Sequence, residues 1–178
     1  MQMRKLGWIM MCLLVLTGCS GPALQRQTFT VELGQDIYAN AALYIKDAQN
    51  YPTDDWEVEA KSSGVVKTQN RFTSENMDYL VVGVYDFVIH AGNRDIDFSI
   101  SVKDTQPPTI LSCPTEIDIS AGQSIDWSAF IKASDLSGVS FSTTSDFNAS
   151  VAGSQDVSVR VSDRFGNSVT REVHVNVT

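Results

Sequence analysis

Two long stretches alternate apolar and polar residues with a period of two. One runs through Tyr85, Phe87 and Ile89, then past Gly92-Asn93 through Ile96, Phe98, Ile100 and Val102. The other runs through Val157, Val159 and Val161, then past Phe165-Gly166-Asn167 through Val169, Arg171, Val173, Val175 and Val177. Such alternation places successive side chains on opposite faces of a strand, so each strand has one buried and one wet face. The glycine–asparagine turns between the halves make each stretch a hairpin. No helical period is sustained after residue 20. The expected class is all-β, built from antiparallel sandwiches.

The hairpins belong to two copies of one pattern. Gly34-Gln35-Asp36-Ile37 returns as Gly122-Gln123-Ser124-Ile125, and Gly83-Val84-Tyr85-Asp86 returns as Gly153-Ser154-Gln155-Asp156. An Ile-Lys pair follows each opening, at Ile45-Lys46 and Ile131-Lys132. Between the copies lies Lys103-Asp104-Thr105-Gln106-Pro107-Pro108-Thr109, where consecutive prolines fix φ and remove two ladder donors. The chain therefore reads as a sandwich over 28–103 and a second over 104–178, with a short, stiff connection. The first glycine motif lies 49 positions from the second in copy 1 and 31 in copy 2, so copy 1 is expected to carry an extra strand or a longer hairpin. Asp55–Ala60 and Met77–Val82 read as strands, with Lys61–Asn76 polar and turn-rich between them. Residues 37–48 and 125–131 read as loops running into strands, with a short helical turn as the alternative for the first.

Ahead of the sandwiches stand a basic start (Arg4-Lys5) and an apolar run from Leu6 to Leu16, too short for a comfortable permanent span. This is the anatomy of a secretory signal peptide. The run closes in Leu16-Thr17-Gly18-Cys19, which resembles the lipobox of bacterial lipoproteins. The resemblance implies cleavage after residue 18, a diacylglycerol thioether and palmitate on Cys19, and an extracytoplasmic protein held at the outer face of the cell membrane or in an outer membrane. Residues 19–27 are then a tether, whose Ser20–Gln27 part spans at most roughly 26–29 Å. Cleavage removes Arg4 and Lys5, leaving eleven basic against 21 acidic residues. That acidity disfavours nucleic acid. Cys113 is left without a disulfide partner and reads as a small buried hydrophobe, with covalent dimerisation as the alternative.

The second copy resembles the bacterial immunoglobulin-like repeats of surface proteins. The match rests on the opening Asp104-Thr105-Gln106-Pro107-Pro108-Thr109-Ile110, on Ala133-Ser134-Asp135, and on Val161-Ser162-Asp163-Arg164-Phe165-Gly166-Asn167. Copy 1 matches more loosely, through its two glycine motifs. The resemblance implies an immunoglobulin-like sandwich for each copy. Tyr85 is then a candidate tyrosine-corner residue, a feature that Gln155 denies to copy 2. Trp56 is the candidate core aromatic of copy 1, and Trp127 a cap on one end of the other sandwich.

Little in the chain points to catalysis. His90 and His174 lie on the solvent faces of their strands and in different copies. The metalloprotease HExxH, CxxC, phosphate-loop and dinucleotide-loop motifs are absent, so no enzyme and no cofactor is expected. Asp86 and Asp156 read as solvent-facing residues at strand starts. In an immunoglobulin-like sandwich the chain entry, the loop after the second strand and the last hairpin share one end. There Asp104, Asp135 and Asp163 with Asn167 are candidate calcium ligands, since calcium takes six to eight hard oxygens. The competing reading is that they are Asx-turn formers. Tyr51, Trp56, Arg71, Phe72 and Tyr79 are candidate partner-binding residues, because aromatics with arginine dominate interface energetics. Their competing reading is core. The expected function is a lipid-anchored, non-enzymatic structural or adhesive module that binds an envelope protein or glycan. The alternatives are an accessory subunit of an envelope enzyme or transport complex, and a carbohydrate-binding module.

Overall fold

The computed structural model describes residues 21–178; the expected signal peptide and the expected lipidation site Cys19 lie outside them. Thirteen strands run in chain order. The first seven are β1 (Thr28–Glu32), β2 (Ile37–Tyr38), β3 (Glu57–Ala60), β4 (Val65–Thr68), β5 (Arg71–Ser74), β6 (Gly83–Ala91) and β7 (Arg94–Lys103). The rest are β8 (Thr109–Ser112), β9 (Glu116–Ile119), β10 (Lys132–Ser134), β11 (Ser140–Thr143), β12 (Gly153–Ser162) and β13 (Ser168–Val177), with a one-turn helix α1 (Trp127–Phe130) before β10.

They form four sheets around two separate cores. In the first sandwich the sheet β1-β7-β6-β3 faces β2-β5-β4; in the second, β11-β12-β13-β9 faces the pair β10-β8. The long hairpins lie in the register that alternation requires. Phe87 pairs with Phe98 and Ile89 with Ile96 across β6 and β7, and Val157 with Val173 across β12 and β13. Gly92 takes φ 66°, which the two-residue turn after β6 demands of its first residue.

The first core is aromatic. Phe72 meets Phe87 edge-on at 4.9 Å between ring centroids, Phe87 stacks on Phe98 at 5.4 Å, and Tyr44 lies 4.5 Å from Phe98. The second core is aliphatic, with Val157, Val159, Val161 and Val175 fully buried and Trp127 at its margin. Trp127 is thus a core residue rather than a cap, because α1 turns it inward. Cys113 packs against this second core, half-buried, and burial raises its thiol pKa.

The repeat has a structural meaning. In both copies the Gly-Gln motif closes a turn in which the glutamine N–H donates to the carbonyl three residues back, and its side-chain oxygen accepts from that residue's N–H. These are Gln35 with Glu32 and Gln123 with Ser120. Gly34 and Gly122 hold φ 83° and 80°, the left-handed value such a turn imposes on its third residue.

Several expectations need correction. Each sandwich is not wholly antiparallel: β1 runs parallel to β7, and β9 parallel to β13. In the second sandwich the entering chain divides between the two sheets, β8 pairing with β10 and β9 with β13; in the first, an isolated bridge precedes β1. Residues 23–27 are therefore not tether. Leu24 bridges Ile45, Gln25 N–H donates to Tyr44 O at 2.8 Å, and the Gln27 side chain donates to Asp97 O at 2.9 Å. Met77–Val82 is not a strand but a turn that buries Leu80, while the polar stretch before it forms the hairpin β4–β5. That hairpin is the additional element expected in copy 1. Residues 41–43 and 48–50 are single 3-10 turns, and 127–130 is a helical turn whose Ser128 N–H donates to the Asp126 side chain. Propensity missed it because Asp126 is a strong N-cap in front of weak helix formers.

Tyr85 does make a corner: its hydroxyl donates to Val81 O at 2.9 Å. Copy 2 does not lack the feature, since Gln155 Nε2 donates to Val151 O, also four residues upstream, at 3.2 Å.

Candidate functional site: the interdomain joint

The joint begins where β7 ends. Lys103 O accepts from Leu33 N at 2.7 Å, which ties the last strand of the first sandwich to the end of β1. Two residues on, the Thr105 N–H and hydroxyl donate to the two carboxylate oxygens of Glu32 at 2.7 and 2.8 Å. The Thr105 N–H is the main reason that the Glu32 carboxyl is held below its usual pKa, against a smaller opposing effect of burial. From the other side, Asn167 Nδ2 donates to Asp104 O at 3.1 Å. The connecting segment is thus bonded to both sandwiches.

Apolar contact completes the joint. Leu33 from the first sandwich and Leu136 from the second lie on a cleft of about 170 Å³ whose other walls include Tyr79, Val81, Val82 and Phe165. A Cβ on Gly34 would come within 2.5 Å of Leu136 Cδ1, so the two sandwiches meet closely at this glycine. Met77, Val81, Leu136 and Phe165 all remain substantially exposed around this cleft.

Three carboxylates converge beside it. Asp135 follows β10 and its Oδ1 accepts from the Ser137 N–H and hydroxyl, both at 2.8 Å. Asp163 follows β12; its Oδ1 accepts from Phe165 N and Asn167 N at 2.8 and 2.9 Å, and its Oδ2 from Asn167 Nδ2 at 2.6 Å. Asp104 enters from the connecting segment. One oxygen from each of Asp104, Asp135 and Asp163 lies within 4.8 Å of the others. At an effective dielectric of about 20, unit charges that close repel by roughly 3 kcal/mol per pair. Among the described residues, no Lys, Arg or His forms an ion pair with any of the three.

The three differ in how their charge is supported. Burial pushes the Asp163 carboxyl up, but hydrogen bonds from the Asn167 side chain and from the backbone of Asn167, Phe165 and Gly166 outweigh it and leave the pKa lowered. Asp163 is only 7% exposed. The Asp104 carboxyl is raised, chiefly by burial and further by Asp135, Asp163 and Glu32, with the Ser137 hydroxyl opposing. Its Oδ2 is enclosed and accepts no hydrogen bond. Asn167 contributes to this cluster as a donor: its side-chain nitrogen binds the Asp163 carboxylate and the Asp104 backbone carbonyl.

The candidate partner-binding residues do not form one surface. Phe72 is 2% exposed and belongs to the core, because β5 turns it toward Phe87; it leaves the surface set. Tyr51 and Trp56 are half-buried and lie 5.9 Å apart, packed against the first core. Arg71 is half-exposed, pairing with Asp36 at 2.6 Å and donating to Asp78 O. Tyr79 alone lines the joint cleft. Sequence reasoning passed over Leu33, Leu136 and Phe165; the usable signal was an apolar residue beside each turn glycine or turn aspartate.

The histidines are paired with acids on the strand faces. His90 meets Asp95 at 2.8 Å and Glu59 at 3.2 Å, and His174 meets Asp156 at 2.7 Å. These are cross-strand pairs, not a nucleophile–base array.

No protein-family profile and no curated protein matches the chain. Similar solved structures include the fibronectin(III)-like modules of Clostridium thermocellum CbhA, at 16% identity over 88% of this chain and 94% of that one, with a TM-score of 0.31. Chicken VE-cadherin EC1-2 is similar at 12% identity, over 86% and 98%, with a TM-score of 0.33. An endo-fucoidan hydrolase from glycoside hydrolase family 107 is similar at 16% identity over 88% of this chain, which spans only 28% of it, with a TM-score of 0.32. The chain's own strand order and register are those of all-β, immunoglobulin-like sandwiches. Among the described residues no helix is long and apolar enough to cross a membrane.

Proposed function

We propose that this chain is a lipid-anchored, extracytoplasmic and non-enzymatic module that presents two immunoglobulin-like sandwiches in a fixed mutual orientation to a protein of the cell envelope. The observation that carries this reading is the joint. Its connecting segment is hydrogen-bonded to Glu32 on one side and Asn167 on the other, and a leucine from each sandwich packs beside it. A presenting stalk needs such a joint, and a flexible linker does not supply one.

The first sandwich begins at the Ala23–Gln25 pairing with residues 44–46, four positions after Cys19. At about 3.5 Å per residue that leaves at most roughly 14 Å between the acylated cysteine and the first ladder bond. The sandwich then stands close to the lipid, with little freedom to swing. A protein partner is favoured over a glycan by the joint cleft, whose exposed rim of Met77, Val81, Leu136 and Phe165 carries one exposed aromatic rather than a platform of coplanar ones.

Two arms test this reading. Full-length protein and a Cys19→Ala variant are fractionated from cells. The expected result is that the wild type stays with membranes and the variant is released; membrane retention of the variant overturns the anchor. Photo-crosslinking from Val81 and Leu136 is compared with crosslinking from the exposed strand residue Lys67. Crosslinks to one defined envelope protein from the joint positions alone are expected. Equal labelling from Lys67 overturns the partner surface.

A further inference from the structure

We propose that the first sandwich binds a neutral saccharide in the cleft formed by Asn40, Thr53, Asp54, Trp56 and Asn70. The inference goes beyond the presenting role and depends neither on the anchor nor on the partner at the joint. The cleft lies at the other end of the sandwich. Trp56 precedes Glu57, which pairs with His90 near the β6–β7 turn, whereas β7 reaches the joint at Lys103.

Two independent observations carry it. The first is a buried threonine. Thr53 is only 8% exposed and lines the cleft. Its backbone is used, the N–H donating to Tyr51 O at 2.8 Å and the carbonyl accepting from Trp56 N at 3.2 Å. Its hydroxyl has no hydrogen-bond partner among the described residues, so a partner has to come through the cleft. A polar group withdrawn from water without such a partner is costly, and a ligand hydroxyl removes that cost. The second is a set of unused polar groups around an indole. Trp56 is half-buried, and its ring N–H has no partner among the described residues. Asn40 accepts from Ala42 N through Oδ1 at 3.0 Å, which leaves its Nδ2 free. Asn70 is fixed through its backbone, since its carbonyl accepts from Ala39 N at 2.9 Å, and its side-chain amide makes no bond among the described residues. The Asp54 carboxylate pairs with no cation among them.

The chemistry of the lining selects the ligand. No Lys, Arg or His lines the cleft and Asp54 does, so an anionic ligand would be repelled. The aliphatic lining is Ala39 and Ala41, too little to seat the large apolar anchor of a protein partner. What remains is a flat apolar indole with one donor, two carboxamides, a hydroxyl and a carboxylate. A pyranose ring has the matching form, with hydroxyls around its rim that both donate and accept, and C–H groups on its faces. The cleft holds about 220 Å³, below the roughly 300–1,000 Å³ of pockets for drug-sized ligands, so one ring enters and the rest of a saccharide extends outside. Asp54 would accept from a ring hydroxyl, the carboxamides would donate, the Thr53 hydroxyl would gain its partner, and the indole would cover a C–H face.

The test is NMR titration of the full chain in detergent, followed at the indole N–H resonances of Trp56 and Trp127. The probes are cellobiose, maltose, xylobiose and N,N′-diacetylchitobiose, with digalacturonate as the acidic counterpart. At least one neutral saccharide should shift the Trp56 resonance and leave that of Trp127 in place. Asn70→Ala, in the exposed β4–β5 turn, should weaken binding about two- to tenfold, the loss of one hydrogen bond. Thr53→Val should weaken it by a similar factor while melting no lower than the wild type, because it removes a hydroxyl without a partner and keeps the side chain's shape. It serves if the first variant misfolds. No shift at Trp56 with any of the four neutral saccharides overturns the site, and so does unchanged binding by both variants. Equal binding of digalacturonate overturns the choice of a neutral ligand.

Discussion

Before β6, the Tyr85 hydroxyl reaches back four residues to Val81 O; before β12, Gln155 Nε2 reaches back four residues to Val151 O. Gln155 also exchanges bonds with Asn148, accepting from its N–H and donating to its O. Tyr85 and Gln155 hold the same position in their Gly-x-x-Asp motifs. The requirement at this corner is a donor long enough to span from the strand to the turn, and both a phenol and a carboxamide meet it. A feature defined by residue type was invisible in copy 2, while the same feature defined by geometry is common to both. The cores show the same freedom. Five aromatic rings fill the first, valines fill the second, and the hairpin register is the same. The wider first sandwich accommodates rings because β4–β5 adds a third strand opposite β6 and β7.

If ring packing sets the first core, Phe98→Ala should have the largest effect, destabilising that sandwich by about 3–5 kcal/mol. Val159→Ala should cost the second only about 1.5–3 kcal/mol. Denaturant unfolding followed by hydrogen exchange in each sandwich separates the two. Equal losses would mean that the aromatic cluster is no tighter than the valine core.

The turn glycines sharpen the comparison further. Gly34 and Gly122 share a φ near 80°, but a Cβ at Gly122 meets nothing while one at Gly34 meets Leu136. Alanine at either should cost about 1–2 kcal/mol through left-handed strain. Because the end of Leu136 can swing away, Gly34→Ala should add little to that loss but change the angle between the sandwiches. Small-angle scattering of the two variants should therefore differ where their melting does not.

At the corners, Gln155→Ala removes a side chain that makes three hydrogen bonds, whereas Tyr85→Phe removes one. The expected costs are about 1–2 and about 0.5–1 kcal/mol. A larger loss at Tyr85 would show that the phenol does more than bridge.

The smallest effect is the pH response, and here the sandwiches should agree. The pKa of His90 is raised, first by its hydrogen bond to Asp95 and then by that to Glu59; the pKa of His174 is raised, first by its hydrogen bond to Asp156. A raised folded-state pKa means that the native state binds the proton more tightly than the unfolded chain. The contribution is therefore complete below the unfolded value of about 6.5 and is lost as pH rises through each folded value. NMR titration should place both histidines above that reference, and His90→Gln should flatten the response of the first sandwich alone.

Much of this fold was legible because period-two alternation has few physical solutions. Tyr85–Val102 and Val157–Val177 could scarcely be anything but hairpins with one buried face. The Gly-Gln motifs were legible as repeats because only glycine accepts the turn's φ without strain. The joint acids were legible as a group once the sandwich end was assigned. What escaped was whatever depends on which sheet a strand joins. Residues 23–27 read as tether because their pairing with residues 44–46 is long-range, and β4–β5 read as loop because its polar strands are stabilised by Phe72 entering the core. Trp127 read as a cap because the helical turn that points it inward is set by a local bond, from the Ser128 N–H to the Asp126 side chain.

By itself, the sequence determined the period of the strands, the turn positions, the duplication and the short proline-marked connection, since each follows from local sterics and the alternation of side chains. The tertiary structure alone decided the parallel entry strands, the equivalence of Tyr85 with Gln155, and the close approach of Asp104 to Asp135 and Asp163. Those depend on the distance between segments as far as 73 residues apart, such as Glu32 and Thr105. Local patterning carries no information about that distance until the cores have formed.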